Sequence, residues 1–265
     1  MKHFILNRQP DRDNTIRLEG DDYRYLVRVR RFAVGEFFPA VLPNGDETLV
    51  QVLSVDHGIL TGKCNSADSV PQAALSEAAS SEAKLPPIIL FQALPKGEKM
   101  DLIVRQAAEG GITEIVPFVS EFSVVKMKAG GGQKFSRWER IIREARQQSG
   151  SMTATAIRRP VAIDGLFAYW EQIKAYWPGI LGLLFHHLPL AKLSLHEYLD
   201  TNPEAVVLAI GPEGGFSPAE AQRFLAAGFK PLTIGNTVLR TETAALYAAA
   251  AVRILLLERD SWKTK

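Results

Sequence analysis

The chain has 265 residues, 46% of them hydrophobic and 23% charged, with a formal net charge of +2. That length supports one large domain or two smaller ones with real cores, while so mild a charge does not by itself point to a polyanion partner. A single cysteine, Cys64, excludes a disulfide framework and a cysteine-based metal cluster; no apolar run approaches a membrane span and no signal-peptide core follows Phe4, so a cytoplasmic protein without a membrane partner is expected.

From His3 to about Val70 the pattern is one of short alternating stretches: Phe4–Leu6, Thr15–Leu18, Phe37–Leu42, Thr48–Val52 and Gly58–Cys64. Asn44-Gly45 between two of them is a strong hairpin signal, and the set predicts a small β barrel or sandwich. A helical piece is expected from Asp21 to Phe32. On it Arg24, Arg28 and Arg31 fall at i, i+4 and i+7 and share a face, with Arg30 beside them, either as a solvated surface or as a phosphate-contacting patch.

Residues 66–87 are rich in Ala, Ser, Glu and Pro and lack the large apolar residues that join a core. They read as a linker and place the domains at 1–70 and 88–265, with 71–87 between them. Beyond it the period changes. Buried strands at Ile88–Gln92, Ile112–Phe118, Ile180–Phe185, Val206–Ile210 and Leu232–Ile234 alternate with helices, as in an α/β fold with a parallel sheet covered on both faces.

The helix after Gly97 places Met100, Ile103, Val104 and Ala107 on one side and ends at Gly110-Gly111. A second helix, after a flexible Gly130–Gly132 loop, is expected to be capped by Ser136 with Glu139 and to bury Trp138, Ile141, Ile142 and Ala145. Arg137, Arg140, Arg143 and Arg146, with Lys134 just before, then wind across a broad outer face suited to a surface contact.

The stretch from Val206 to Leu246 carries the strongest functional signal. A buried strand runs into Gly211-Pro212-Glu213-Gly214-Gly215-Phe216, and Ser217-Pro218-Ala219-Glu220 is a capping box with proline at the first helical position. A second strand leads through Gly235-Asn236-Thr237-Val238-Leu239-Arg240-Thr241-Glu242-Thr243 into an apolar run from Ala244 to Leu257. Two ordinary α/β connections would explain this order. However, Gly214-Gly215 before a well-capped helix exceeds what a simple turn needs, and glycines at strand ends let a ligand reach bare backbone. Arg240 stands where a helix macrodipole disfavours a cation, so an anion is expected there, either Glu242 or a ligand.

No G-x-G-x-x-G follows a strand and no P-loop is present, which disfavours dinucleotide-binding and NTPase domains. The adjacent His186-His187 cannot easily ligate one metal, and no H-E-x-x-H or C-x-x-C occurs, so no metal is expected and the two histidines read as surface residues.

Taken together, Ile210–Gly215 and Ile234–Ala245 resemble the paired C-terminal motifs of the RsmE family of SPOUT-class methyltransferases. The likeness extends to Gly97–Met100, to Gly111-Ile112 leading into Pro117-Phe118 and Ser120-Glu121, and to Val29, Arg31 and Gly35. There are departures. Gln147-Gln148-Ser149-Gly150-Ser151 replaces a usual Glu-Gln-Ser/Cys-Gly-Arg, Tyr25 replaces a frequent histidine, and His187 replaces a frequent proline.

The resemblance implies an N-terminal PUA-like β barrel that binds RNA and a C-terminal SPOUT α/β domain with a trefoil knot, an exception to unknotted topology. It implies a homodimer that methylates N3 of one uridine in 16S ribosomal RNA of the small ribosomal subunit, with S-adenosylmethionine as cofactor. The cofactor residues implied are Leu184, Phe185, Ile210, Gly211, Pro212, Gly214, Gly215, Ile234, Gly235, Val238, Leu239, Thr241 and Thr243. Arg240, Glu213 and Glu242 are the catalytic candidates, and Arg24, Arg28, Arg31, Lys99, Arg137 and Arg140 the RNA contacts. Ribose 2′-O-methylation and a non-catalytic RNA-binding assembly factor are the alternatives.

Overall fold

A computed structural model describes residues 3–65, 85–124, 132–186, 193–235 and 237–263. Most of the expected linker, the glycines at 130 and 131, His187 and Asn236 lie outside the described residues. Two compact units emerge, one of residues 3–65 with Arg146–Ala154, the other of residues 85–145 and 155 onward.

The first unit contains β1 (Phe4–Ile5), β2 (Thr15–Glu19), β3 (Phe37–Val41), β4 (Glu47–Asp56) and β5 (Ile59–Asn65), ordered β1-β3-β4-β5-β2. The β3–β4 hairpin closes at Asn44-Gly45, where Gly45 takes φ 93° and its N–H donates to the Leu42 carbonyl at 2.9 Å. Phe4, Ile16, Leu18, Phe38, Val50 and Leu60 fill the interior, with Cys64 buried among them. Gln147 belongs to this unit, its Oε1 accepting from the Ile5 N–H at 2.9 Å.

The helix expected over Asp21–Phe32 is replaced by one α turn, α1 (Gly20–Tyr23), and a π-helical turn over Arg24–Val29. Leu26 alone in that turn is buried, and the wider coil shows in Arg30 N–H donating to Tyr25 O at 2.8 Å, five residues back. Arg31 has left the helix, at φ 60°. Helical spacing therefore does not align Arg24, Arg28 and Arg31, although all three are exposed.

In the second unit β6 (Ile88–Ala93), β7 (Glu114–Val119), β8 (Ala156–Ile157), β10 (Ile180–Phe185), β11 (Ala205–Ile210) and β12 (Lys230–Leu232) form a sheet ordered β12-β10-β11-β6-β7-β8. The short β9 (Val161–Ala162) also pairs with β7. Every pairing is parallel. Alternate side chains serve opposite faces, as the strand period requires. Leu90, Val206 and Leu208 meet α2 (Lys99–Glu109), α5 (Leu195–Leu199) and α7 (Thr241–Lys263) on one side. Phe91, Val207 and Ala209 meet α4 (Ile163–Tyr176) and α6 (Pro218–Ala226) on the other.

Some boundaries moved. Ile112 sits in the turn after Gly111 (φ 74°), its N–H on the Ala107 carbonyl at 2.9 Å, so β7 starts later than the apolar run. Ile234 falls outside β12, which ends after pairing with β10. The remaining helix, α3 (Gly132–Ser149), begins a turn earlier than its expected cap, leaving Ser136 mid-helix. Phe135 accounts for this, since it packs on the core and lies under Arg159, so the turn before Ser136 has contacts of its own. Trp138, Ile141, Ile142 and Ala145 are buried as expected. Arg146 is not part of an outer face. It is 6% exposed, donates to the Met152 carbonyl at 3.4 Å, and burial pulls its pKa down.

Candidate active site

A cavity of about 450 Å³ opens at the carboxyl ends of β10, β11 and β12, within the roughly 300–1,000 Å³ of small-molecule sites. Strand order reverses here, because β11 lies between β10 and β6, and this is where open α/β sheets bind ligands. One wall is the turn after β11, Gly211–Phe216; the other is made by Thr233, Ile234, Gly235, Thr237, Val238 and Leu239 with the start of α7.

Backbone geometry explains the glycines. A Cβ on Gly211 would lie 3.0 Å from the Gly215 carbonyl carbon, and one on Gly214 would lie 3.0 Å from Phe122 Cβ. Gly215 itself has φ 70° and donates to the Pro212 carbonyl at 2.9 Å, a conformation that L side chains resist. Below the turn, the expected capping box is present. Ser217 Oγ accepts from the Glu220 N–H at 3.2 Å, and Glu220 accepts from the Ser217 N–H at 3.0 Å. Buried Glu220 also accepts from Ser120 Oγ at 3.0 Å and the Glu121 N–H at 2.8 Å, fastening the loop after β7 to α6.

Of the sequence candidates, Phe185, Ile210, Gly211, Pro212, Glu213, Gly214, Gly215, Ile234, Gly235, Val238, Leu239 and Thr241 line the cavity. Leu184 is in the core with α4 and α6, and Thr243 is half-buried in α7; neither is among the lining residues. His186, expected on the surface, is buried and lines the cavity, because its N–H pairs with the Leu232 carbonyl at 3.0 Å at the end of the sheet.

Electrostatics centre on Lys99. Its ammonium donates to Glu213 at 2.7 Å and lies 3.8 Å from Glu242, and Glu213 also accepts from the Lys96 N–H at 3.1 Å. Burial pushes the Glu213 pKa up, but the hydrogen bonds from Lys99 and the backbone outweigh it and hold it below the ordinary carboxylate value. The Glu213 bond raises the Lys99 pKa, which nearby Arg240 opposes. Arg240 is exposed, immediately before α7, and forms no ion pair among the described residues. Glu242, in the first turn of α7, faces Lys99 instead of supplying the anion expected beside Arg240.

The other basic candidates are surface groups; Arg24 pairs with Asp21 at 3.0 Å, Arg137 with Asp101 at 2.5 Å and Arg140 with Glu144 at 3.6 Å, while Arg28 and Arg31 are exposed. Sequence reasoning missed the Lys99 pairing, the place of His186, and Gln92, which is wholly buried behind the cavity. For Gln92 the one signal was a polar residue closing an otherwise apolar strand. Among the described residues no three His, Cys, Asp or Glu side chains are grouped to hold a metal, and no helix is long and apolar enough to cross a membrane.

A glycine-floored hollow at a parallel sheet's switch point, with an exposed arginine next in sequence to two of its lining residues, is the arrangement of a small-molecule-binding α/β protein. Residues 81–253 match the RNA methyltransferase domain family. A ribosomal RNA small subunit methyltransferase E from Synechocystis sp. is 32% identical over 244 residues, covering 91% of this chain and 74% of that protein. The chain belongs to this methyltransferase E family. Solved structures agree in fold. The Neisseria gonorrhoeae methyltransferase E bound to S-adenosyl methionine is 25% identical with TM-score 0.71, covering 96% of this chain and 98% of the other. A Legionella pneumophila structure in complex with the bound cofactor SAM is 28% identical with TM-score 0.70, covering 95% and 96%.

Proposed function

We propose that this protein methylates N3 of one uridine in 16S ribosomal RNA of the small ribosomal subunit, using S-adenosylmethionine. The observation that carries the reading is the cavity: glycine backbone on one side, apolar Phe185, Ile210, Val238 and Leu239 around it, and cationic Arg240 adjoining. The residues fit the cofactor, since a turn that only glycine allows at 211 and 215 lines one side with bare backbone and the aliphatic lining suits an adenine face.

When bound, S-adenosylmethionine supplies an electrophilic methyl group on a positively charged sulfur. The chain's part is to hold and orient. Gly211, Gly214, Gly215, Gly235 and Thr241 line the binding floor. Arg240 offsets the negative charge that the uracil acquires as N3 loses its proton. Glu213, kept ionised by Lys99, orients, while Glu242 places a second carboxylate beside the same ammonium. Holding both reactants in line lowers the entropy of the encounter.

The N-terminal strands form a PUA-like barrel that positions RNA through exposed Arg24, Arg28 and Arg31, and Lys99, Arg137 and Arg140 serve the α/β domain, with the boundary at residues 71–87. Exposure of these guanidiniums supports phosphate contact. The C-terminal domain carries the trefoil knot of its class. Two copies pair, supported by Leu246, Tyr247, Ile254 and Leu257 standing exposed along the last helix.

The test is incubation of unmodified small subunits with labelled cofactor, followed by nucleoside mass spectrometry and mapping. A single N3-methyluridine in 16S RNA is expected. A ribose 2′-O mark would replace the chemistry assigned here, and no incorporation despite cofactor binding would favour a non-catalytic assembly factor.

A further inference from the structure

We infer that Gln92, at the carboxyl end of β6, is a positioning residue of the cofactor cavity and acts through Thr241. Its side chain is 0% exposed, in a place where leucine would fill the space without desolvating an amide. Both amide hydrogens are committed, one to the Ala93 carbonyl at 2.9 Å and one to Thr241 Oγ1 at 3.0 Å. The Thr241 hydroxyl passes its own hydrogen to the Gly211 carbonyl at 2.6 Å.

The two ends fix the polarity of this relay. Carbonyls of Ala93 and Gly211 can only accept, so the hydroxyl must take its incoming hydrogen from Gln92, and a flipped amide would set Oε1 against two acceptor oxygens. Gln92 Oε1 has no hydrogen-bond partner among the described residues. The fold thus carries a desolvated acceptor in order to keep this donor, which a purely space-filling role would not require.

What the relay joins gives it a purpose. Gly211 opens one wall of the cavity and Thr241, next to Arg240, closes the other, so the Thr241–Gly211 bond ties the two walls together and the bond from Gln92 fixes the hydroxyl that makes it. This rests on the cavity being the cofactor site. It also assigns the Thr241 hydroxyl to the framework, leaving only the rest of that residue to face the cofactor.

The test compares Gln92→Leu, Thr241→Val and the double variant by calorimetry with S-adenosylmethionine and by amide hydrogen exchange. Each single change is expected to weaken binding about tenfold. The double variant should be no weaker than either single one within about twofold, because the two are links of one chain. Thr241→Ser, which keeps the hydroxyl, should recover most of the loss and reports on the relay even if Gln92→Leu does not fold. Exchange should quicken in residues 211–216 and the first turn of α7 while β6 and β11 stay protected.

Wild-type affinity and exchange in Gln92→Leu would overturn the inference, as would additive losses or exchange that rises evenly across the sheet. If the wild-type protein takes up no S-adenosylmethionine, the proposed function fails, and the exchange pattern alone decides the relay.

Discussion

Between Gly211 and Ser217 the polar groups are spent on the protein itself: Gly211 O on Thr241, Pro212 O on Gly215, Glu213 on Lys96 and Lys99, and Ser217 on Glu220. Across the cavity, the segment leading into α7 leaves Val238 82% exposed and Arg240 facing solvent without an ion pair among the described residues. Under the proposed function the pinned wall is the cofactor's, since a turn whose polar groups are already satisfied keeps one shape and need not reorder on binding. The exposed wall is then the side from which the RNA base arrives, because Val238 lines the cavity yet stays largely in water and Arg240 beside it has no ion pair among the described residues.

The variant expected to have the largest effect separates the walls. Arg240→Ala should lower single-turnover methyl transfer by about 10²–10³-fold, the usual loss for one group that stabilises developing charge. Calorimetric cofactor affinity should stay within about threefold. Equal losses in both would put Arg240 in binding and erase the distinction. Next, Gly211→Ala drives a methyl group to 3.0 Å from the Gly215 backbone, so the pinned wall must shift and cofactor affinity should fall at least about tenfold. An unchanged dissociation constant would show that this turn does not form the floor.

Glu220→Ala removes the carboxylate half of the α6 capping box and leaves the Ser217 N–H, the Ser120 hydroxyl and the Glu121 N–H without their acceptor. A loss of about 1–3 kcal/mol in urea unfolding is expected.

The Lys99–Glu213 pair gives a smaller, pH-dependent signature. Glu213 titrates below its ordinary value, so its contribution is present above the unfolded-state carboxylate pKa and is lost as pH falls through the lowered folded value. Lys99, shifted upward, keeps its contribution until pH rises through its own folded value. Lys99→Met should therefore move the acid limb of cofactor binding to higher pH while leaving neutral-pH folding almost unchanged. An acid limb at the wild-type position would disconnect the pair from the wall.

Much of this contrast was legible in the residues. Gly211, Gly214-Gly215 and the Ser217–Glu220 box are local signals whose physics does not depend on the rest of the fold, and they landed where the pattern put them. The parallel sheet was equally legible, because strands buried on both faces read as unbroken apolar runs. What escaped depends on distant partners. Gln92 meets Thr241 across 149 positions and Lys99 meets Glu213 across 114, and no local period reports either.

The failed local readings have the same origin. Ser136 and Glu139 match a capping box, but Phe135 packs on the core and extends the helix past it. Arg146 continues the spacing of its exposed neighbours, yet Met152 draws it inward. Arg24 and Arg28 were placed by an α-helical period that the π-helical turn around Leu26 replaces.

The most direct test of the pinned wall as a cofactor site is calorimetric titration of the purified chain with S-adenosylmethionine. Saturable binding at one site per chain is predicted, with Gly211→Ala greatly weakened and Arg240→Ala nearly unaffected. No heat from the wild-type protein, or equal binding by all three, would contradict the account.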